Sequence, residues 1–427
     1  MDRYKITDVT AHEIFNGIWD PTIEVTVEVG DIRGTSAAPA GQSTGKDEAT
    51  ELRDGGVRFE GKGCLKAVEY VNTEIKELLT GMDVTEQRKI DRALQLADGT
   101  QNKSRLGANT IAAVSAAVTA AAAKAVGMPI YRYVNGNAHI LPVPMMDFIS
   151  GSHYSFGATS EIQEFSVLPT EAETFREAMD ITRKLYMVLR DRIVEKFGAL
   201  GQCVDAAGSF AVPIKSCRDT LDFLMTALKK SGLEDRFRIG MDCAASGWYD
   251  KERRLYLFEG EERTRSDMLD YYRQLVKDYP IATLEDPFDE TDVQGFVDAT
   301  KLLGIQIVGD DFFVTNPKIM KDKMYKGAAN ALLWKYNQIG TLSEAYDAAE
   351  LAVRSGYGLM PSERSGESED CILADLIVGL NAGQCKSGIC VRSENVTKYN
   401  RLLQIEDELK DDAVYAGPDF RNPGFAL

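Results

Sequence analysis

Six polar residues recur through the second half of the sequence, each at the end of a short apolar run. In chain order they are Asp242, Glu285, Asp310, Lys335, Arg364 and Lys386. Their spacing is close to one strand–helix unit of a barrel, about 25 to 30 residues. The first three offer carboxylates, which are ligands that Mg²⁺ prefers, and the last three offer a base and an anion clamp. A single strand-end Asp is as often a helix N-cap as a ligand, but six in register predict one site.

The apolar runs that precede these residues are continuous and not alternating, which is typical of strands buried on both faces of a parallel sheet. They read LPVPMMDF, IQEFSVLP, FRIGMDCA, PIATLEDP, IQIVGDD, NALLWKY, GYGLMPS and KSGIC, with amphipathic helical stretches between them. Eight such units predict a (β/α) barrel, with the polar residues on the C-terminal rim where barrel enzymes do chemistry. The alternative is an open doubly wound sheet, but no GxGxxG follows a strand.

The first part of the chain has a different pattern. Residues 22–29 alternate apolar and polar side chains, which predicts a half-buried antiparallel strand. The following stretch, RGTSAAPAGQSTGKDEA, is too poor in large apolar residues to pack a core, and is either a surface loop or a lid. Residues 85–97 and 108–126 are predicted helices, the second ending before Gly127.

Composition excludes some classes of function. The net charge of −17 over 427 residues argues against a nucleic-acid or membrane-surface binder. Seven scattered cysteines without a CxxC pair predict reduced thiols in a cytoplasmic protein, not a zinc site. No apolar leader is visible, and the run 108–126 carries polar residues and many alanines, which suit helix packing better than lipid. We therefore expect no membrane span.

Longer motifs give the chain a family resemblance. The stretches AAPAGQSTG, ELRDGG, NKSRLGANT, MDCAAS, LEDP, VGDDFFVTN, KYNQIGTL and RSGESED make it similar to the enolase family over nearly its whole length. The resemblance implies an α/β fold with an N-terminal α+β capping domain over residues 1–137, including a mobile lid at about 34–48. It also implies a modified barrel, ββαα(βα)6, over residues 138–427, and a homodimer or higher homo-oligomer.

The resemblance also assigns roles at the site. It implies that Asp242, Glu285 and Asp310 bind a tight Mg²⁺. It implies that Ser43 in the lid helps to hold a second, substrate-dependent Mg²⁺, giving two per active site. The implied substrate contacts are the carboxylate neutraliser Lys386 and the phosphate clamp Arg364 and Ser365, and the implied catalytic groups are the base Lys335 and the leaving-group carboxylate Glu164.

The implied reaction is demanding. A proton next to a carboxylate is a very weak acid, so cations must stabilise the ene-diolate that its removal creates. A lysine or histidine base with one or two Mg²⁺ ions is the general solution in this superfamily. The base Lys335 must be neutral, so we expect nearby positive charge to lower its pKa.

Four positions depart from the family's motifs. Its GDEGG loop, which supplies the dehydrating acid, is CVDAAG here, so the acidic positions become Ala206 and Ala207, with Asp205 one residue away. The histidine before the phosphate-clamp arginine is Glu363, a candidate acid or a changed specificity group. A loop histidine is shifted, so His153 or the neighbouring Tyr154 enters the site. An arginine near the N-terminus is Ile18.

These observations favour an enolase-like lyase (phosphopyruvate hydratase type) of glycolysis, acting on 2-phosphoglycerate or a close analogue. An alternative is a sister enzyme with a changed second step, like carboxyphosphonoenolpyruvate synthase, acting on a phosphonate or enolpyruvate compound. A third is a non-catalytic enolase-like binding protein, which would not need to keep Lys335, Lys386 and Ser43. The expected partner is a small anionic carboxylate bearing phosphate or phosphonate, and not nucleic acid or a membrane.

Overall fold

An antiparallel three-stranded sheet begins the chain. The computed structural model describes residues 2–151 and 159–423. The strands are β1 (Asp8–Phe15), β2 (Pro21–Val29) and β3 (Ile32–Ala37). The buried residues of β2 alternate with its partly exposed ones, which confirms the predicted half-buried strand. Because Gly34 to Ala37 belong to β3, the segment predicted as a lid begins as a loop only after Ala37.

Helices cover one face of this sheet. They are α1 (Leu65–Tyr70), α2 (Lys76–Leu79), α3 (Gln87–Asp98), α4 (Ala108–Val126) and α5 (Ile130–Val134), with a wider turn at Val71–Ile75 that joins α1 to α2. Helix α4 packs so closely on β3 that a Cβ on Gly34 would lie 2.0 Å from the backbone nitrogen of Ala121. The small side chains of α4 permit this approach.

Helix α4 is long and apolar enough to cross a membrane by length and composition alone. It is the one such helix among residues 2–151 and 159–423, and 83% of its most apolar window is buried inside the protein. Its place between the sheet and the neighbouring helices is that of a core helix.

The barrel has eight strands within the described residues. They are β5 (Val143–Ser150), β6 (Glu164–Leu168), β7 (Arg238–Asp242), β11 (Ile281–Glu285), β12 (Gln306–Gly309), β13 (Ala331–Trp334), β14 (Gly358–Pro361) and β15 (Gln384–Lys386). The remaining strands lie outside the barrel: β4 (Ile140–Leu141) pairs with β16 (Val414–Tyr415), and β8 (Tyr249–Asp250), β9 (Leu255–Phe258) and β10 (Glu261–Arg263) form a small antiparallel sheet.

Eight helices accompany these strands in the described part of the barrel. They are α6 (Phe175–Phe197), α7 (Cys217–Ser231), α8 (Arg265–Asp278), α9 (Val293–Leu302), α10 (Pro317–Tyr325), α11 (Leu342–Arg354), α12 (Ile372–Gly379) and α13 (Ser393–Leu409). Local chemistry fixes several of their starts. In α8, for example, Thr264 and Asp267 form a reciprocal capping box.

The strand order is β14-β13-β12-β11-β7-β6-β5-β15, and a bridge between Ser362 and Lys386 joins the two ends. The order of elements, two strands, two helices and then alternating units, confirms the ββαα(βα)6 barrel. The simpler expectation of an all-parallel sheet is wrong in one respect, because β6 runs antiparallel to both neighbours. The eighth strand also begins earlier than KSGIC, at Gln384, and ends at the first residue of that run, Lys386.

Candidate active site

The strand ends bring the predicted residues to one rim of the barrel. Asp242 and Glu285 are the last residues of β7 and β11 and pair in register. Asp310 and Lys335 directly follow β12 and β13. Glu164 is the first residue of β6 and pairs with Asp242, because that strand runs in the opposite direction. An antiparallel strand therefore contributes its N-terminal residue to the rim where parallel strands end.

Lys386 is the centre of the carboxylate group. Its Nζ lies 2.7 Å from Oε2 of Glu164, 2.8 Å from Oδ2 of Asp242 and 2.8 Å from Oε2 of Glu285. Burial opposes the charged ammonium, but these carboxylates outweigh it and raise the pKa of Lys386 well above its usual range. Lys386 therefore presents a permanent positive charge inside the site.

Lys335 forms a second ion pair nearby. Its Nζ lies 2.6 Å from Oδ2 of Asp310, whose Oδ1 accepts a hydrogen bond of 2.8 Å from Gln338 Nε2. Burial alone would lower the pKa of Lys335, but the Asp310 carboxylate reverses this and the net pKa is raised. The nearest charged partner of Lys335 in this arrangement is a carboxylate and not a cation, so the lowered pKa expected for a base beside positive charge stays a prediction.

The predicted anion clamp lies where the loop after β3 meets the barrel. The guanidinium of Arg364 donates to Glu48 Oε2 at 3.0 Å and to the Ser43 carbonyl oxygen at 2.9 Å. Ser365 Oγ accepts the backbone N–H of Gln42 at 2.9 Å. The loop that contains Gln42 and the exposed Ser43 is therefore held over the cavity by the two residues predicted to bind phosphate.

The positions that depart from the family's motifs also line this cavity. Ala206 and Ala207 form part of one wall, and Glu363 forms another part. Asp205 lies beside the alanines, but its Oδ1 accepts the Ser209 N–H at 2.9 Å and so faces its own loop. Burial raises the pKa of Asp205 to about 6.

Two further departures from the family's motifs concern a loop histidine and an N-terminal arginine. His153 and Tyr154 lie outside the described residues. Ile18 is in the turn between β1 and β2, where its N–H donates to Asn16 Oδ1 at 3.1 Å, and it is not among the residues that line the cavity.

The structure adds two cavity residues that sequence reasoning missed. Asp147 is fully buried on β5 and accepts a hydrogen bond of 2.6 Å from Ser166 Oγ. Gln163 donates to Asp242 Oδ2 at 3.1 Å. An Asp inside the apolar run PMMDF was a usable signal, because an acid within a fully buried strand needs a partner.

The balance of acidic and cationic side chains around the cavity indicates whether the site could hold a metal ion. Six carboxyl groups line the cavity against three cationic side chains; the acids are Asp147, Glu164, Asp205, Asp242, Asp310 and Glu363, and the cations are Lys335, Arg364 and Lys386. Buried carboxyl groups in such excess need further cations or protons. In addition, Oε1 of Glu285 is buried without a hydrogen-bond partner in the described structure. The donor set therefore fits a hard divalent cation.

The cage itself is not preassembled. Within residues 2–151 and 159–423, no three His, Cys, Asp or Glu side chains converge as a metal-ligand set. Ion pairing accounts for this, because Lys386 takes up oxygens of Asp242 and Glu285, and Lys335 takes up one of Asp310. A cation that bound here would compete with these lysines for carboxylate oxygens.

Comparison with known proteins finds similarity over nearly the whole chain. The model of the enolase N-terminal domain matches residues 6–134, and that of the enolase C-terminal TIM barrel domain matches residues 138–423. Proteins named enolase from Thermococcus kodakarensis, Pyrococcus furiosus and Methanocaldococcus jannaschii are 49%, 48% and 48% identical to this chain. The matches span 98%, 99% and 99% of this chain and 99% of each relative.

Proposed function

Because the chain belongs to the enolase family, we propose that it is a Mg²⁺-dependent lyase that removes the proton alpha to the carboxylate of 2-phosphoglycerate or a close analogue. The observation that carries this proposal is the convergence of Lys335 and Lys386 with Asp242, Glu285 and Asp310 on one barrel rim. A base and a carboxylate-neutralising cation beside hard-cation ligands are what alpha-proton removal requires.

Each group has a role in this proposal. Lys335 takes the alpha proton, Lys386 pairs with the substrate carboxylate, and Arg364 with Ser365 holds the phosphate. Asp242, Glu285 and Asp310 would hold one Mg²⁺, and Ser43 would help with a second when substrate is present. Bound Mg²⁺ would supply positive charge that stabilises the ene-diolate. Glu164 lies on the leaving-group side.

Lys335 must lose its proton to act as a base. In the present arrangement Asp310 stabilises its ammonium form, so engagement of Asp310 by another cation would remove the main interaction that keeps Lys335 charged. Lys386, held by three carboxylates, stays charged throughout. Lys335 therefore moves a proton, whereas Lys386 only neutralises charge.

A sister enzyme with a changed second step is a second candidate. It is favoured by the clustering of Ala206, Ala207 and Glu363 on the walls of one cavity, where the family's motifs place an acid and a histidine. Such an enzyme would form the same ene-diolate from a phosphonate or enolpyruvate compound. A non-catalytic binding role is less well supported, since the two lysines remain paired with the acidic rim.

The test follows both half-reactions in one sample. Purified protein with Mg²⁺ is given 2-phosphoglycerate in heavy water; phosphoenolpyruvate is followed by ultraviolet absorbance and alpha-proton exchange by NMR. Turnover with exchange supports the dehydratase. Exchange without turnover favours the sister enzyme, and analogues with other leaving groups come next. The absence of both would exclude 2-phosphoglycerate as the substrate.

The biological setting is also a proposal. We expect a homodimer or higher homo-oligomer acting in the cytoplasm as part of glycolysis. Sedimentation of the purified protein at several concentrations tests the assembly, and a monomer throughout would contradict it. Fractionation of the source cells tests the location.

A further inference from the structure

Glu363 is a buried carboxyl group at the mouth of the barrel. It follows β14 by two residues, and its backbone N–H donates to the Lys386 carbonyl oxygen at 2.8 Å, which fixes the backbone at the point where the barrel closes. The side chain is 9% exposed and lines the cavity. Its Oε2 is buried and has no hydrogen-bond partner in the described part of the chain.

The Glu363 carboxyl group lines the same cavity as the two alanines, Ala206 and Ala207. Ala207 also lines the cavity, and its carbonyl oxygen accepts from Asn395 Nδ2 at 3.0 Å. Gly388 marks the proximity: a Cβ on this glycine would lie 2.4 Å from Glu363 Oε1 and 3.1 Å from the Ala207 carbonyl oxygen. The carboxyl group of Glu363, just after β14, therefore lies next to the loop in which Ala207 stands where the family's motif has an acid.

The other cavity acids are already engaged. Glu164 pairs with Lys386 at 2.7 Å, and Asp147 accepts from Ser166. Asp205 accepts the Ser209 N–H. Among the described acids of the cavity, Glu363 alone has no hydrogen bond or ion pair through its side chain.

The surroundings of Glu363 favour its protonated form. Burial is the main cause, and the neighbouring Glu367 adds repulsion, so the pKa of Glu363 is raised well above its usual range. Lys398 opposes this, but its Nζ is bound to Glu367 Oε2 at 3.1 Å. A neutral carboxyl group carries a proton to donate and, unlike a carboxylate, does not repel a bound phosphate.

We propose that Glu363 is the acid of the second half-reaction, replacing the acid missing at Ala207; this inference rests on the proposed function. After Lys335 has taken the alpha proton, the Glu363 proton moves to the hydroxyl oxygen on C3. The C3–O bond breaks with its electron pair going to that oxygen, which leaves as water. The ene-diolate electron pair becomes the C2–C3 double bond of phosphoenolpyruvate.

The proton balance closes without a co-reactant. At the end of the step Lys335 is an ammonium that carries the former alpha proton, and Glu363 is a carboxylate whose proton has left in the product water. Return of the Lys335 proton to solvent, and uptake of one by Glu363, restores the starting state.

The experiment compares wild type with Glu363→Gln, the control Glu261→Gln and the double variant Glu363→Gln/Ala207→Glu, using 2-phosphoglycerate and Mg²⁺. Glutamine has the same shape but cannot transfer a proton. We expect Glu363→Gln to lose turnover by about 10²–10⁴-fold, the usual contribution of a positioned acid, while alpha-proton exchange stays within about threefold. The double variant should regain turnover. Glu261→Gln, which makes the same kind of change on an exposed strand outside the barrel, should behave as wild type.

The outcomes distinguish a failure of the Glu363 assignment from a failure of the proposed function. If wild type exchanges and turns over but Glu363→Gln does so equally, Glu363 is not the acid and the proposed function stands. If Glu363→Gln loses exchange and turnover in parallel, Glu363 serves binding and the inference is overturned. Exchange without turnover in wild type overturns it too, and a wild type without exchange rejects the proposed function itself.

An infrared difference spectrum between wild type and Glu363→Gln gives a readout that needs no substrate. At neutral pH the difference should contain the carbonyl band of a protonated carboxyl group. A carboxylate band in its place would overturn the assignment.

Discussion

The ammonium nitrogen of Lys335 lies 2.6 Å from Oδ2 of Asp310, so the proposed base and a proposed metal ligand are bound to each other. Both are largely buried, and a buried pair of this kind is costly to break from one side only. The protonation of Lys335 and the binding of a cation by Asp310 therefore depend on each other. A cation that binds Asp310 would also release Lys335 for proton transfer.

Replacing Asp310 with asparagine tests the metal side of this relationship. Asp310→Asn keeps the shape but removes the negative charge that a hard cation requires, so Mg²⁺ binding at the tight site should be lost in calorimetric titration. Glu261→Gln, on an exposed strand outside the barrel, is the control and should titrate as wild type. Unchanged binding by Asp310→Asn would remove this residue from the metal site.

Replacing Lys335 tests the base. Lys335→Ala should slow alpha-proton exchange of 2-phosphoglycerate in heavy water by at least about 10²-fold, because no proton acceptor remains at that position. The matched control is Lys326→Ala, which removes a half-exposed lysine whose one ion pair within the described residues is with Asp322. Exchange that persists in Lys335→Ala but not in the metal-site variant would assign the base to another group.

A buried ion pair next to the site predicts a large effect on stability. Lys398 is fully buried, with its Nζ 3.1 Å from Glu367 Oε2 and 2.7 Å from the Glu394 carbonyl oxygen. Lys398→Met leaves the buried Glu367 without its cationic partner, although Glu367 Oε1 still accepts the Arg364 N–H. The substitution should lower the free energy of unfolding by about 3–5 kcal/mol in urea titration. Lys326→Met should change it by less than about 0.5 kcal/mol. A small loss for Lys398→Met would mean that Glu367 becomes protonated or finds water.

Asp205 predicts a dependence of stability on pH. Burial raises its pKa from 3.8 to about 6, with Asp147 adding repulsion. The folded protein therefore binds this proton more tightly than the unfolded chain. The resulting stabilisation, up to about 3 kcal/mol, is complete below pH 3.8 and is lost as pH rises through about 6.

The measurement is the free energy of unfolding of wild type and Asp205→Asn at several values of pH between 4 and 7. Many groups titrate in wild type, so the difference between the two proteins isolates Asp205. We expect wild type to lose stability relative to Asp205→Asn as pH rises through this range. A constant difference would show that Asp205 keeps an ordinary pKa.

The sequence by itself determined the architecture and the identity of the rim residues. Continuous apolar runs specify buried strands, and a polar residue at the end of each run must lie on one rim once the strands are parallel. Asp242, Glu285 and Lys386 were found in this way, and long motifs such as VGDDFFVTN identified the family. The strand-end residues and the family motifs are both local patterns, and a linear sequence contains such patterns.

Only the tertiary structure decided how these charges are partnered. The direction of β6, which brings Glu164 to Lys386, follows from packing that no local pattern encodes. The raised pKa of Lys335 depends on Asp310, and the isolation of Glu363 beside Ala207 depends on Gly388. Burial and charge–charge distances set these properties, and both arise between segments that are far apart along the chain.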